Sequence, residues 1–326
     1  MTLSYYMRLL CLCFATFFVV HGMVWLVVRG IAPGALKIAE TMRPRQSSRL
    51  LFGLRMLPAA VTLFLVAGFC VPSYIWLEPD VANERVGWAC LLAAAMGAAA
   101  WAVSLLRGLT SVVRTERYMR QYLSGARADE MVDDGEDVLV VDDGSAVMAV
   151  AGVVNPRLVI SQSVMDTLSN EQRNAAYRHE AAHRSSQDNL KKLLFLASPD
   201  VLPFIPGLTN LERGWAKFTE WAADDQAVDG SQERALSLAS ALVKVAKLGV
   251  CPAPKYLLSS LIDDDHDLAT RVDRLLREPA YVEKPLQPLV AFTRNATLVI
   301  GCVMATLLLW PDSLGGIHRL LERLVQ

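Results

Sequence analysis

The chain has 326 residues, 53% hydrophobic and 20% charged, with a mean hydropathy of +0.31 and a formal net charge of −1. It is too apolar for an ordinary soluble domain. A near-zero charge without a basic-aromatic tract also argues against a direct nucleic-acid surface.

The apolar excess is concentrated in blocks. Residues 9–28 form a 20-residue run whose one strongly polar ionisable group is His21, residues 56–77 carry no charge, and residues 87–106 are rich in Ala and Gly. Each is long enough to cross a hydrocarbon core of about 30 Å. A cleavable signal peptide is the competing reading of the first run, but no convincing small-residue cleavage site follows it, so it is read as a span. A fourth span is expected over residues 288–310, with Arg294 snorkelling at its edge.

Charge sets the orientation. Arg29, Lys37, Arg43, Arg45, Arg49 and Arg55 follow the first run, and Arg107, Arg114, Arg117 and Arg120 follow the third. Residues 78–85 are net acidic, and the N-terminus offers only Arg8. The expected layout is three spans within residues 1–106, one cytoplasmic domain over 107–287, and the fourth span with a short tail over 288–326. Both termini are then extracytoplasmic, in an inner membrane. The tail spacing, Ile317-His-Arg-Leu-Leu-Glu-Arg-Leu-Val325, suits an amphipathic helix on the membrane surface. Cys11, Cys13, Cys70, Cys90 and Cys302 fall in the spans and Cys251 in the cytoplasmic domain, with no disulfide framework and no C-x-x-C metal pair.

Within that domain the third span is expected to continue as a basic helix to about Gly125. Two β-rich runs, residues 138–141 and 146–150, flank Asp142-Asp-Gly144, which reads as a hairpin. A third strand, residues 157–160, follows Asn155-Pro156, giving a sheet of about three strands. Residues 146–153 are expected at its edge, where an extended substrate would add a strand. Ser169-Asn-Glu-Gln172 is a capping box opening a helix. The apolar, Pro-broken stretch from Pro199 to Pro206 is too short to span and reads as a loop dipping towards the bilayer surface or the interior of the fold. Two further helices are expected over residues 211–228 and 231–248, the second stopped by Gly249.

The capped helix carries His179-Glu-Ala-Ala-His183. Residues four apart share a helix face, so both imidazoles can address one metal ion. Glu180 then lies within reach of a water on that metal. The alternative is an ordinary solvated helix face. A catalytic zinc usually takes a third protein ligand, and Thr219-Glu-Trp-Ala-Ala-Asp-Asp225 supplies a candidate. Glu220 is suited to ligate, and Asp224, one turn on, to hold a ligand histidine by its free ring N–H. A charged solvent face is again the alternative, for which Glu212, Asp225 and Asp229 are better placed.

The run His179-Glu-Ala-Ala-His-Arg-Ser-Ser-Gln-Asp188, preceded by Asn155-Pro-Arg-Leu-Val-Ile160 and Leu168-Ser-Asn-Glu-Gln172, resembles the catalytic core of the BlaR/MecR-type integral-membrane zinc peptidases. Glu220-x-x-Ala223-Asp224 is similar to the third-ligand motif of the related HtpX and CAAX-prenyl-protease group. His266-Asp-Leu-Ala-Thr-Arg271-Val-Asp-Arg-Leu275 is similar to a segment that follows the active site in these enzymes. The resemblance implies a mainly α membrane protein of four transmembrane helices, with a cytoplasmic α+β, gluzincin-like zinc metalloprotease domain between the third and fourth. It implies one zinc per chain held by His179, His183 and Glu220, with Glu180 as general base and acid and Asp224 and Asp188 in support. His266 is either an oxyanion-stabilising group or a brace for the fold. Arg271 is expected to be structural, paired with one of the acidic residues between 263 and 267 or with Asp273.

Two elements depart from the family pattern. The basic triplet after the second histidine is Arg184-Ser185-Ser186, and the aromatic-Asn-Pro element before the third-ligand helix is replaced by the Pro199 to Pro206 stretch. The tail after Trp310 is too short for the penicillin-binding sensor of the best-known members, so β-lactam sensing is not expected. The expected function is regulated cleavage of a protein or peptide substrate at the bilayer, a transcriptional repressor among the candidates. Two alternatives remain: an HtpX-like quality-control protease and a non-catalytic zinc-fold signalling scaffold. Glu180 weighs against the scaffold, which has no chemical need for it.

Overall fold

The computed structural model describes residues 4–77, 86–123, 127–129, 138–141, 148–153, 156–200, 208–248, 258–260 and 265–277. The expected fourth span and tail, the Asp142-Asp-Gly144 turn, Gly249 and positions 201–206 of the proline stretch lie outside the described residues.

Among the described residues, three helices are long and apolar enough to cross a membrane. They are α1 (Tyr5–Glu40), then α2 (Pro44–Leu65) running through a π-helical turn (Val66–Cys70) into α3 (Val71–Leu77), and then α4 (Trp88–Leu123). Their outward faces are apolar, with Met23, Leu26, Leu63, Leu92 and Leu106 all exposed. At one end Tyr6, Trp76 and Trp88 are 74%, 71% and 81% exposed, the amphipathic ring that marks a membrane–water interface. At 1.5 Å per residue, α1 and α4 each run about 54 Å, well beyond the hydrocarbon thickness. The surplus projects at the other end and carries the remaining elements. There Pro44 starts α2 and Ser47 Oγ donates to Ala39 O at 2.6 Å, fixing the α1–α2 corner. Where α1 crosses α4, a Cβ on Gly97 would stand 2.4 Å from Phe14 O, so the two backbones meet almost directly.

The sheet has five described strands, β1 (Arg127–Asp129), β2 (Val138–Val141), β3 (Met148–Ala151), β4 (Arg157–Ser161) and β5 (Leu258–Ser260), in the order β1-β2-β4-β3-β5. The hairpin expectation for β2 and β3 is therefore corrected. β4 lies between them, parallel to β2 and antiparallel to β3. An Asp-Gly turn reverses the chain without dictating which strand becomes the neighbour. The edge expectation for residues 146–153 is corrected too, because β5 pairs antiparallel with β3 on its other side.

Strand alternation splits the sheet's side chains cleanly. Val138, Val150, Leu158 and Ile160 enter a core with α6 (Asn170–Ser186) and α9 (Gln232–Lys247). Leu139, Val141, Ala151 and Val159 face Met119 at the far end of α4. The short α5 (Gln162–Thr167) joins β4 to α6. The capping box at Ser169 forms as the sequence requires, with Ser169 Oγ accepting from the Gln172 amide and Gln172 returning the bond. Gln187, in the left-handed conformation at φ 55°, ends α6 and turns directly into α7 (Asp188–Ala197).

The remaining helices are α8 (Thr209–Val228) and α10 (Asp265–Leu276). α8 has two buried faces. Leu211, Trp215 and Phe218 pack with Trp25, Val28 and Leu51 of the apolar helices, while Ala223, Asp224 and Ala227 turn inward towards the α6 side. Among the basic residues that oriented the chain, Arg55 behaves differently from the rest. It is 2% exposed and donates to Glu212 of α8 at 2.6 Å, to Asp200 at 3.2 Å and to Ser198 at 3.3 Å. The α2–α8 contact also holds a buried hydroxyl pair, Ser48 Oγ to Thr219 Oγ1 at 2.8 Å.

Candidate metal centre

Helix α6 presents small residues, Ala175, Ala176 and Ala182, around its two histidines, letting it seat close against the sheet and α8. His179, Glu180 and His183 are buried as a result. The two Nε2 atoms face each other at 3.1 Å. Glu220 reaches in from α8, one carboxylate oxygen 3.4 Å from His179 Nε2 and the other 3.4 Å from His183 Nε2. Donor atoms each about 2.0–2.1 Å from a tetrahedral zinc stand roughly 3.3 Å apart. The two nitrogens are near that spacing, each has its own Glu220 oxygen at 3.4 Å, and one donor atom from each residue lies within 4.8 Å of the others. Two nitrogens and a carboxylate oxygen are also the donor set a catalytic zinc takes.

The other ring nitrogens are held from behind. His179 Nδ1 lies 3.0 Å from Asp224 Oδ1, and His183 Nδ1 lies 2.9 Å from Asp188 Oδ2. A carboxylate there favours the proton on Nδ1 and leaves Nε2 as a lone-pair donor. Asp188 is itself held by Lys191 Nζ at 2.8 Å. Arg271 of α10 grips Asp224 with Nε at 2.9 Å and a terminal nitrogen at 2.7 Å, and stands 3.1 Å from Glu220. Of the expected partners of Arg271, the side chains of residues 263–267 lie outside the described residues, and the Asp273 expectation is corrected. Asp273 instead pairs with Arg277 one turn on. A buried guanidinium seeks the buried carboxylates it can reach, wherever they fall in sequence.

The electrostatics are those of a cation site. Burial alone would lower both imidazoles, yet hydrogen bonds to the carboxylates of Asp224 and Glu220 raise His179, and the Glu220 charge with the hydrogen bond to Asp188 raises His183. Burial would raise Glu220 and Asp224, but His183 and Arg271 hold Glu220 well below the carboxylate range, and Arg271 holds Asp224 at about 2. Glu180 differs. It is 0% exposed, and burial pushes it up to about 7 against the pull of the two imidazoles. One carboxyl poised near neutrality beside others that stay ionised is the separation general acid–base chemistry uses.

His266 belongs to α10, the helix that delivers Arg271, but its side chain lies outside the described residues. Three further contacts were not anticipated from the sequence. Asn189 Nδ2 donates to the carbonyls of Val150 and Gly152 at 3.0 and 2.9 Å, tying β3 to the start of α7. Gly152, at φ 100°, makes that approach possible. Lys191 braces Asp188, and Ser48 touches the residue beside Glu220. Only Lys191 has a local signal, three residues beyond an acid on one helix face.

A family model described as BlaR1 peptidase M56 matches residues 81–275, more than half of the chain, from just before α4 to the penultimate residue of α10. No curated protein matches.

Proposed function

The chain belongs to the BlaR1 peptidase M56 family of membrane-associated metallopeptidases, and on that premise we propose that it is a zinc endopeptidase acting in regulated proteolysis on the cytoplasmic side of the membrane. The observation that carries this reading is the convergence of His179, His183 and Glu220, with an aspartate behind each imidazole. One zinc per chain fits those donors. When bound, it acidifies a water and polarises the scissile carbonyl.

This chain's own residues perform the rest. His179 and His183 present Nε2 and Glu220 a carboxylate oxygen to the metal. Asp224 and Asp188 fix the ring tautomers, and Arg271 positions Asp224 and Glu220 by pinning both. The Glu180 carboxylate takes a proton from the attacking water and returns it to the departing amine nitrogen. Burial favours the protonated form of that carboxyl, which lets it hold the proton between the two transfers. Burial also excludes bulk water from the proton while it is held. The substrate we favour is a cytoplasmic or membrane-proximal regulator protein, with a transcriptional repressor as one instance.

The test is Glu180→Gln in the full chain. Zinc content should stay at one per chain, while cleavage falls by about 10²-fold or more, the scale of a lost general base. New protein termini in cells expressing the wild type, absent with the variant, would identify the substrate. Wild-type cleavage by Glu180→Gln would overturn the mechanism.

A further inference from the structure

The apolar bundle holds four of the chain's six cysteines, and the fold brings them together in twos. Cys11 Sγ of α1 lies 4.0 Å from Cys90 Sγ of α4. Cys13, two residues on, packs in the same cluster as Cys70 at the end of the π-helical turn, where Thr16 Oγ1 stands 4.0 Å from the Cys70 sulfur. Positions i and i+2 of a helix point about 200° apart, so α1 offers one thiol to each neighbour. The contacts fall in two separate packing clusters. One gathers Cys11 with Ala15, Cys90 and Ala94, and the other gathers Cys13 with Leu12, Cys70 and Tyr74.

A cysteine in a span is ordinarily a small apolar residue, and one such contact would say no more. Two features go further. Each pair joins a half-buried thiol on α1 to a buried one on the adjoining helix, the arrangement of an accessible sulfur and a resolving partner. Cys70 is also positioned by a π-helical turn, a local departure from α geometry that shifts the residues beyond it.

Both pairs sit near the aromatic interface. Cys11, Cys70 and Cys90 lie five, six and two residues from Tyr6, Trp76 and Trp88, at most about 9 Å along a helix. The charge pattern assigns this end to the outside, where disulfides persist.

We propose that Cys11 with Cys90, and Cys13 with Cys70, are two oxidisable thiol pairs, each closing to a disulfide that ties α1 to a neighbouring helix. In each closure two S–H bonds break and one S–S bond forms. Two electrons and two protons leave, and a lipid-soluble quinone takes them up to become the hydroquinone. The S–S bond is about 2.05 Å, so Cys11 and Cys90, now 4.0 Å apart, must approach by about 2 Å, through rotation about the Cα–Cβ bonds and a small closing of the helices. The inference rests on helix packing and is independent of the peptidase reading. It does bear on it, because α1 also packs through Trp25 and Val28 against the helix that carries Glu220.

The test uses the full chain in membranes exposed to a short-chain benzoquinone, then denatured and alkylated. Four of the six cysteines should lose their label, and peptide mapping should recover 11–90 and 13–70 cross-linked peptides. Cys11→Ser should free Cys90 for alkylation and leave the 13–70 link. Cys13→Ser should free Cys70 and leave the 11–90 link. Full labelling after quinone treatment, cross-links in other combinations, or links between chains would each overturn the assignment.

Discussion

The two faces of α8 are held by different physics. Towards the membrane helices Leu211, Trp215 and Phe218 interlock with apolar partners, Trp215 meeting Phe195 edge-on at 5.0 Å. Gly214 admits Leu36 and Leu51 close to its backbone. Towards α6 the same helix offers Glu220 and Asp224 to two imidazoles and a guanidinium. The apolar face loses free energy in proportion to what is cut away. In the charged face, removing one member strands the others without water or counter-charge. A helix built this way can shift slightly on one side without loss, but a comparable shift would break the network on the other.

Two substitutions of similar expected size separate the faces. Trp215→Ala should destabilise the protein by about 3–5 kcal/mol through lost burial and a cavity. Arg271→Met should cost about 3–5 kcal/mol by leaving Asp224 and Glu220 without their cation. Thermal melting in detergent with and without zinc tells them apart. Zinc should recover part of the Arg271→Met loss, because the metal supplies positive charge beside Glu220, and should give Trp215→Ala no more than it gives the wild type. Equal recovery in both would mean that the two faces are not energetically distinct.

A smaller effect tests the layer behind the ligands. Asp224→Asn and Asp188→Asn should each weaken zinc binding about 10–100-fold, the usual cost of losing a carboxylate behind a ligand histidine. A zinc-competition titration measures this. Unchanged affinity in both would remove the aspartates from the metal's support.

A comparable effect, smallest in the double variant, lies on the membrane-facing side. Ser48→Ala or Thr219→Val alone leaves one buried hydroxyl unpartnered, at about 1–3 kcal/mol. The double change should be nearly neutral, because both polar groups go together. Additive losses in melting would show that the pair is not a self-contained contact.

What the sequence revealed follows how far apart the cooperating residues lie. The α6 cap, the shared face of His179 and His183, and the one-turn spacing of Glu220 and Asp224 are local repeats of 3.6 residues, and they were legible. The neighbours of β2 were not. Its turn signal is local, but its partner β4 lies beyond β3 in the chain. The ion pairs of Arg271 were illegible for the same reason, because the fold places it on carboxylates 47 and 51 residues away, at Asp224 and Glu220. Arg55 enters the charge count that orients the chain like any other basic residue, because charge statistics do not distinguish an exposed arginine from one enclosed by Glu212 and Asp200.

The approach of Gly97 to the Phe14 carbonyl limits how α1 can move. A side chain has no room at that crossing, so sliding α4 by one helical turn, about 5.4 Å, would bring Ala93 or Trp101, which share the face of Gly97, onto the α1 backbone. A piston stroke between the two helices is therefore blocked, while tilting about the crossing is not. Gly97 is a fulcrum: a sideways displacement of α1 near Tyr6 would emerge beyond it with reversed sign, on the stretch of α1 that lies against α8.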